Sequence, residues 1–502
     1  MSTEKKLKNI VAYISPSFFG TILSLISLPI LTRALTPQDY GIIALLSSFP
    51  AFAVNLLTLN VQMGAERYYF EYRKDADSLS RLISTTITFM MIVFALSVPF
   101  VYFTRHIISS MVLGSSKYGF GVFISYLTAC LGIPVSFYLI LYRNMEEGKK
   151  FSFFTVVQMT LNTFLSLLLV VAFHFGYMGM VYATFLATLI VFAILFWRFQ
   201  KRYPFCFDFK MLKENLIYGV PLLPQNFTSF IYDFLDKFLL RSITSLSSAG
   251  IYSIGLNIAK KFTVLMTAIQ ATYYPAFMQD MFDRGKKAAA SVGRNFTIFS
   301  YLSLFPILIM TVFGEEIVHI LAPRSYDGAI MVLLIFLCAA STQTFGKITG
   351  VQLAYVKKAY LNFPLSIIQL VMMVLLNLLL IPLWGPIGAG LAATISLIIA
   401  NTLCVVICQS YYKIIYEKRI LSLMYMDMFI TAIALIYFQI IGAPLLLKYG
   451  VKFAALILFV FIGNRANIIN KRNLKAVINV LTFKKPPVPA EALGTIQEET
   501  SL

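Results

Sequence analysis

The sequence predicts an all-α integral membrane protein of about fourteen transmembrane helices, and three observations predict it. Of its 502 residues, 59% are hydrophobic and only 13% are charged, whereas a soluble chain carries about a quarter charged residues to cover its surface. The apolar residues gather in runs close to the roughly 20 residues that a helix needs to cross about 30 Å of hydrocarbon. The basic residues fall between those runs, as in a chain threaded through a bilayer with a fixed orientation.

Fourteen runs meet the length requirement: 10–31, 41–63, 82–103, 120–141, 151–173, 177–197, 215–240, 248–275, 295–313, 328–350, 361–382, 386–409, 423–443 and 450–465. The last is the weakest, because only Phe453 to Asn464 lies between Lys452 and Arg465. Pro16, Pro29, Pro50, Pro134, Pro221 and Pro224 sit inside runs. Proline removes a backbone donor, so these helices kink, either to pack or to line a cavity. Phe and Tyr number 45 and 28 against 2 Trp, so tyrosine supplies most of the interfacial belt.

Orientation follows from Lys and Arg. With Met1 in the cytoplasm, the inside segments hold 30 of the 41 basic residues, the outside segments hold 7, and 4 lie within spans. That bias places both termini in the cytoplasm and requires an even number of spans. It also accounts for the formal net charge of +19 without any nucleic-acid partner. The stretch Met1 to Lys8 is short and basic and has no small-residue cleavage site, so the first run reads as a retained helix. Cys130, Cys206, Cys338, Cys404 and Cys408 lack CxxC spacing, and His106, His174 and His319 lack HxxxH spacing. No disulfide framework, metal centre or cofactor is expected.

The chain repeats itself faintly. Leu31-Thr32-Arg33, followed by Thr36 and Gly41, matches Leu239-Leu240-Arg241, followed by Thr244 and Gly250. Gly176-Tyr177-Met178-Gly179 with Ala183 matches Gly385-Pro386-Ile387-Gly388 with Ala392. Lys149 and Lys358 are separated by the same 209 residues. Three matches at an offset of 208 to 209 argue for two six-helix lobes, and six spans per lobe make the repeat parallel about an axis along the membrane normal. The expected organisation is an N-terminal lobe over 1–200 and a C-terminal lobe over 201–412. Two further helices with a basic cytoplasmic segment follow over 413–483, and a disordered tail over 484–502.

An ionisable group inside a span is costly and normally faces a polar cavity or a partner. Asp233, Asp236, Lys237, Lys260, Lys261 and Lys347 are such groups, all in the second lobe, and they sum to +2. Asp233 and Lys237 are spaced i,i+4 with the acid first, a favourable local pair that would take Lys237 out of the cavity. Lys347 lies near the inner end of its span, where it either snorkels or faces the cavity. Lys260 and Lys261 point about 100° apart, so at most one need face inward. Lys260 lies about 18 Å into its span. Asn257, Leu256, Thr263 and Val264 occupy its i±3 and i±4 positions, so it has no local acid and is the leading cavity residue. Surplus positive charge in a cavity suits an anion such as a diphosphate, which lysine engages as a point charge.

The run Leu31-Thr32-Arg33-Ala34-Leu35-Thr36-Pro37-Gln38-Asp39-Tyr40-Gly41 resembles the Wzx-type polysaccharide flippases of the multidrug/oligosaccharidyl-lipid/polysaccharide exporter superfamily. Tyr218-Gly219-Val220-Pro221-Leu222-Leu223-Pro224, Asp236-Lys237-Phe238-Leu239-Leu240 and the glycine-rich turn before the twelfth span are similar too. The resemblance covers about residues 5–480 and implies fourteen helices, two lobes in a V and alternating access. It also implies a bacterial inner-membrane location and an undecaprenyl-diphosphate-linked oligosaccharide, bound for surface polysaccharide such as O-antigen, lipopolysaccharide or capsule. Membrane lipid and other polysaccharide assembly proteins are the partners it implies. The family's basic cavity would be met by Lys260, Lys261 and Lys347, with Lys237 and Arg241 nearer the outer face and Arg33 and Arg67 contributing from helix ends. Asp233 and Asp236 would serve in coupling or pairing.

Two other classes compete. A multidrug or metabolite exporter of the same fold needs a buried acid for cation coupling, and both span acids look partnered. A polysaccharide polymerase or glycosyltransferase needs long outer loops with carboxylates. The longest outer segments here are short, Phe103–Phe120 and Phe313–Gly328, and Glu315-Glu316 reads as a solvated pair. No catalytic residue is expected.

Overall fold

In a computed structural model residues 3–469 are described, and the regular secondary structure among them is helical. The expected tail over 484–502, and part of the basic segment before it, lie outside the described residues. The helices are α1 (Thr3–Ala34), α2 (Pro37–Leu57), α3 (Val61–Tyr72), α4 (Ala76–Leu113), α5 (Gly119–Asn144), α6 (Gly148–Leu167), α7 (Gly176–Arg202) and α8 (Phe209–Gly219). They continue with α9 (Leu223–Ile243), α10 (Leu246–Arg284), α11 (Ala289–Val312), α12 (Gly314–Leu321), α13 (Gly328–Tyr355), α14 (Asn362–Tyr411), α15 (Lys418–Ile441) and α16 (Leu445–Arg465).

Among the described residues, 11 segments are long and apolar enough to cross a membrane. One of them, Ala359–Tyr411, contains both the eleventh and the twelfth expected spans. Gly385 breaks it in the left-handed region at φ 52°. The seventh expected span falls outside those segments and the eighth overlaps one only over 273–275; both are nonetheless helical, the seventh across the end of α8, a short 3₁₀ turn and α9, the eighth within α10. α16 meets the length and hydropathy of a span despite its flanking charges.

Local sequence explains the ends that matter. Thr36 caps α2: its hydroxyl accepts from Asp39 N, and the Asp39 carboxylate accepts from Thr36 N at 2.9 Å. Pro37 follows at the first helical turn, where a missing N–H costs nothing. The run Thr36-Pro37-Gln38-Asp39 is thus a helix start. Pro221 and Pro224 likewise divide α8 from α9 through a short 3₁₀ turn, Val220–Leu222.

The chain forms two compact units. The first runs to Thr267 and resumes over Phe313–Cys408; the second comprises Ala268–Val312 and the described chain from Gln409 onward. In the first unit α1 packs on α6, α5 on α7, α2 on α9 and α3 on α8. Tyr138, Phe137, Ile83 and Ile87 are among the fully enclosed residues of one of its apolar cores. In the second unit α15 and α16 pair with α11. There Arg294 bridges Glu417 at 3.1 Å and donates to Ala466 O at 2.7 Å. Tyr301 stacks on Phe459 with 4.7 Å between ring centroids.

The repeat has a geometric counterpart in the first unit. A Cβ on Gly41 would lie 1.9 Å from Leu246 O, and one on Gly250 would lie 1.8 Å from Pro37 O. Residues 37 and 246 are separated by 209 positions, as are 41 and 250, so each helix start meets its own repeat-mate. Reciprocal contact of this kind is what a two-fold axis produces. Gly176 and Gly385, also 209 apart, share positive φ values of 54° and 52°.

Candidate functional site

The site begins with two facing helix stripes. On α9, Asn226, Phe230, Asp233 and Lys237 recur at helical spacing, and on α2 Ser48, Phe52 and Asn55 do the same. These stripes line a cavity of about 540 Å³, completed by Ser47, Ala51, Leu56, Asn60, Leu223, Phe227, Ser229 and Lys260. Phe52 stacks on Phe230 across it, 3.8 Å between centroids and 13° between planes. Because α2 and α9 run in opposite directions here, the stacked rings fall between two chemically different ends. One end holds Ser47, Ser48, Asp233 and Lys237; the other holds Asn55, Asn60 and Asn226.

The charged end has its own wiring. Lys260 Nζ donates to Asp233 Oδ1 at 2.9 Å, both side chains more than half exposed at 54% and 62%. Lys237 Nζ donates instead to Ser48 Oγ at 3.2 Å, reaching from α9 to α2. Two expectations are corrected here. Asp233 pairs with Lys260 across two helices, not with Lys237 along one, and Lys260 is therefore not an uncompensated charge. The i,i+4 rule sees only neighbours on one helix, and α9 and α10 bring these two together over 27 residues of chain. With one acid and two lysines, the cavity wall carries +1.

The other ionisable residues lie off that wall. Lys261, half-buried, donates to Ser24 Oγ on α1. Asp236 is buried and accepts from Tyr252 Oη and from Asn377 Nδ2, the latter at 2.6 Å, so it belongs to a closed cluster of α9, α10 and α14. Arg241 donates to Ser110 O at 3.0 Å, and Arg33 to Pro29 O at 2.8 Å. Arg67 bridges Glu71 at 3.2 Å, and Lys347 lies half-buried on α13. Lys261, Lys347, Arg241, Arg33 and Arg67 are not among the residues that line this cavity.

Sequence reasoning missed the neutral polar residues that line this cavity. Ser47, Ser48, Asn55, Asn60 and Asn226 are neutral, so a search for buried charge passes over them. The signal available was the polar stripe on α2 inside an otherwise apolar span.

Beyond the charged end, α1 and α2 meet α10, α12 and the turn before α13. Gly41 and Gly250 cross with backbone contact, Thr32 Oγ1 donates to Leu321 O at 2.7 Å, and Tyr326 Oη donates to Leu35 O at 2.7 Å. At the amide end, Asn226 Nδ2 donates to Asn60 Oδ1 at 2.9 Å. A Cβ on Gly64 would lie 2.3 Å from Asn215 O, and one on Gly219 would lie 2.6 Å from Asn60 O. Tyr72 Oη donates to Glu214 at 2.9 Å; burial first, then that carboxylate, pushes the Tyr72 hydroxyl up to about 12. Helices α2 and α3 are therefore clamped to α8, α9 and α10 at both ends of the cavity.

The profile of a family described as "Polysaccharide biosynthesis protein" matches residues 30–331. A protein of Haloferax volcanii named "Probable flippase AglR" is 24% identical over 185 residues, 36% of this chain; the chain spans 39% of that relative's length. A protein of Haemophilus influenzae named "Lsg locus putative protein 1" is 21% identical over 347 residues, 67% of this chain and 82% of its own. Among solved structures, "Lipid II flippase MurJ, inward closed conformation" superposes with a TM-score of 0.68 at 13% identity, covering 91% of this chain and 100% of that one. An inward-facing multidrug resistance MATE family transporter of the MOP superfamily superposes with a TM-score of 0.58 at 14% identity, over 80% and 97% of the two chains. These superpositions carry the fold.

Proposed function

The chain belongs to the polysaccharide biosynthesis protein family, and on that premise we propose that it is a flippase moving an undecaprenyl-diphosphate-linked oligosaccharide across the bacterial inner membrane by alternating access. The carrying observation is the cavity between α2 and α9, with two lysines against one acid at one end and three asparagine side chains at the other. A diphosphate brings two or more negative charges, and the ammonium groups of Lys237 and Lys260 meet them as point charges. Sugar hydroxyls both donate and accept, which the amides of Asn55, Asn60 and Asn226 can answer. A cationic drug would meet a wall of the wrong sign.

In this reading most of the basic residues outside the spans face the cytoplasm with both termini, and the Gly41–Gly250 end faces outward. The polyprenyl tail remains in lipid while the head traverses the cavity. Asp236 serves as a pairing group that ties α9 to α10 and α14, and Lys261 ties α10 to α1 through Ser24.

Lys260→Ala is expected to abolish surface polysaccharide in a complementation assay while leaving membrane abundance unchanged. Full polysaccharide display by that variant would remove Lys260 from the mechanism.

A further inference from the structure

Lys260 is not idle before a substrate arrives: its ammonium is held 2.9 Å from the Asp233 carboxylate, inside the cavity that the proposed function assigns to a phosphate. A carboxylate and a phosphate oxygen make the same demand on an ammonium group, and only one of them can hold it closely. Asp233 also sits one helical turn before Lys237, the acid-first i,i+4 spacing at which the two side chains can meet. Lys237 at present reaches across to Ser48 on α2. The three side chains and the serine all line one cavity end.

We propose that Asp233 is an internal competitor for the substrate's phosphate, and that its displacement from Lys260 signals occupancy to the contact between α9 and α2. The phosphate takes Lys260. The released Asp233 carboxylate swings to Lys237, one turn along α9. Lys237 then leaves Ser48 Oγ, and one hydrogen bond joining α9 to α2 is lost when the cavity fills. An empty cavity keeps the bond, so this one tie between the helices is released only when cargo is aboard. The relay rests on the anion-binding reading given above, and it adds the order in which the contacts change.

Two variants test it in the purified full-length protein in lipid nanodiscs, with farnesyl diphosphate as the probe and inorganic pyrophosphate as the tail-free comparison. Asp233→Asn keeps the shape and removes the competing charge, so it should bind farnesyl diphosphate about two- to fivefold more tightly than wild type. Ser48→Ala removes the acceptor of Lys237. Combined with Ser47→Cys, it should raise the rate of labelling by an impermeant maleimide, without ligand, to the level that the Ser47→Cys single variant reaches only with ligand. If wild type binds the probe but Asp233→Asn binds it equally or less tightly, the competition is overturned while the anion site stands. If Asp233→Asn binds more tightly yet ligand leaves labelling at position 47 unchanged, the link to Ser48 is overturned. Failure of wild type to bind either diphosphate overturns the anion-binding reading, and the relay with it.

Discussion

Replacing Gly41 with alanine adds one carbon where the structure has no room. The new Cβ would lie 1.9 Å from Leu246 O and 2.8 Å from Leu246 C, both backbone atoms that no side-chain rotation can move. Non-bonded contact begins near about 3 Å, so α2 and α10 must part by about 1 Å at this crossing. Overpacking of this kind costs about 1–3 kcal/mol. The penalty applies only while this crossing is formed, so it shifts the balance toward the state in which this end is open by about 5- to 150-fold. The assay is the labelling rate of Ser47→Cys by an impermeant maleimide added from the outer side of oriented vesicles, with and without the added Gly41→Ala substitution. Labelling should rise with Gly41→Ala and with its repeat-mate Gly250→Ala. The variant carrying both should give less than the sum, because both strain one contact. Gly132→Ala is the control, since nothing lies within 4 Å of a Cβ there. Unchanged labelling in both crossing variants would refute the idea that this contact is a closed gate.

Tyr72→Phe removes the hydroxyl that Glu214 accepts from at the opposite end, so labelling of the same cysteine from the inner side should rise by a few-fold while outer-side labelling stays level. Asp236→Ala strips the acceptor from Tyr252 and Asn377 in a buried cluster; at about 1–3 kcal/mol per orphaned group, the melting temperature in detergent should fall clearly. An unchanged melting curve would mean the cluster is not a structural tie. Gly385→Ala places a side chain at φ 52° and should cost about 1–2 kcal/mol, read as reduced thermal stability, and Gly176→Ala should behave alike at φ 54°.

Much of the fold was legible because its physics is local or periodic. Apolar length marked the helices, and the 209-residue offset singled out Gly41 and Gly250, which meet face to face. The motif residues around Thr36 and Gly219 also have local meaning: one builds a capping box, and the other leaves room for the Asn60 carbonyl. The candidate site was legible only in outline. Lys260, Lys237 and Asp233 carry charge where hydrocarbon forbids it, so sequence alone singled them out. Their pairing was not legible, since helix crossing decides which acid meets which lysine. Asp236 looked equivalent to Asp233, yet its carboxylate is taken by Tyr252 and Asn377 and it is absent from the cavity lining. The asparagine end was invisible because neutral amides in a span are neither costly enough nor rare enough to stand out.

Transport itself is the most direct test. In proteoliposomes holding the purified chain, a fluorescent undecaprenyl-diphosphate oligosaccharide in one leaflet should become accessible to a membrane-impermeant quencher of the other. Lys260→Gln should slow that step strongly, and a glycan carried on an uncharged polyprenyl chain should not cross. Equal crossing of the uncharged glycan, or no crossing of the diphosphate form above protein-free vesicles, would contradict a flippase that grips its cargo by phosphate.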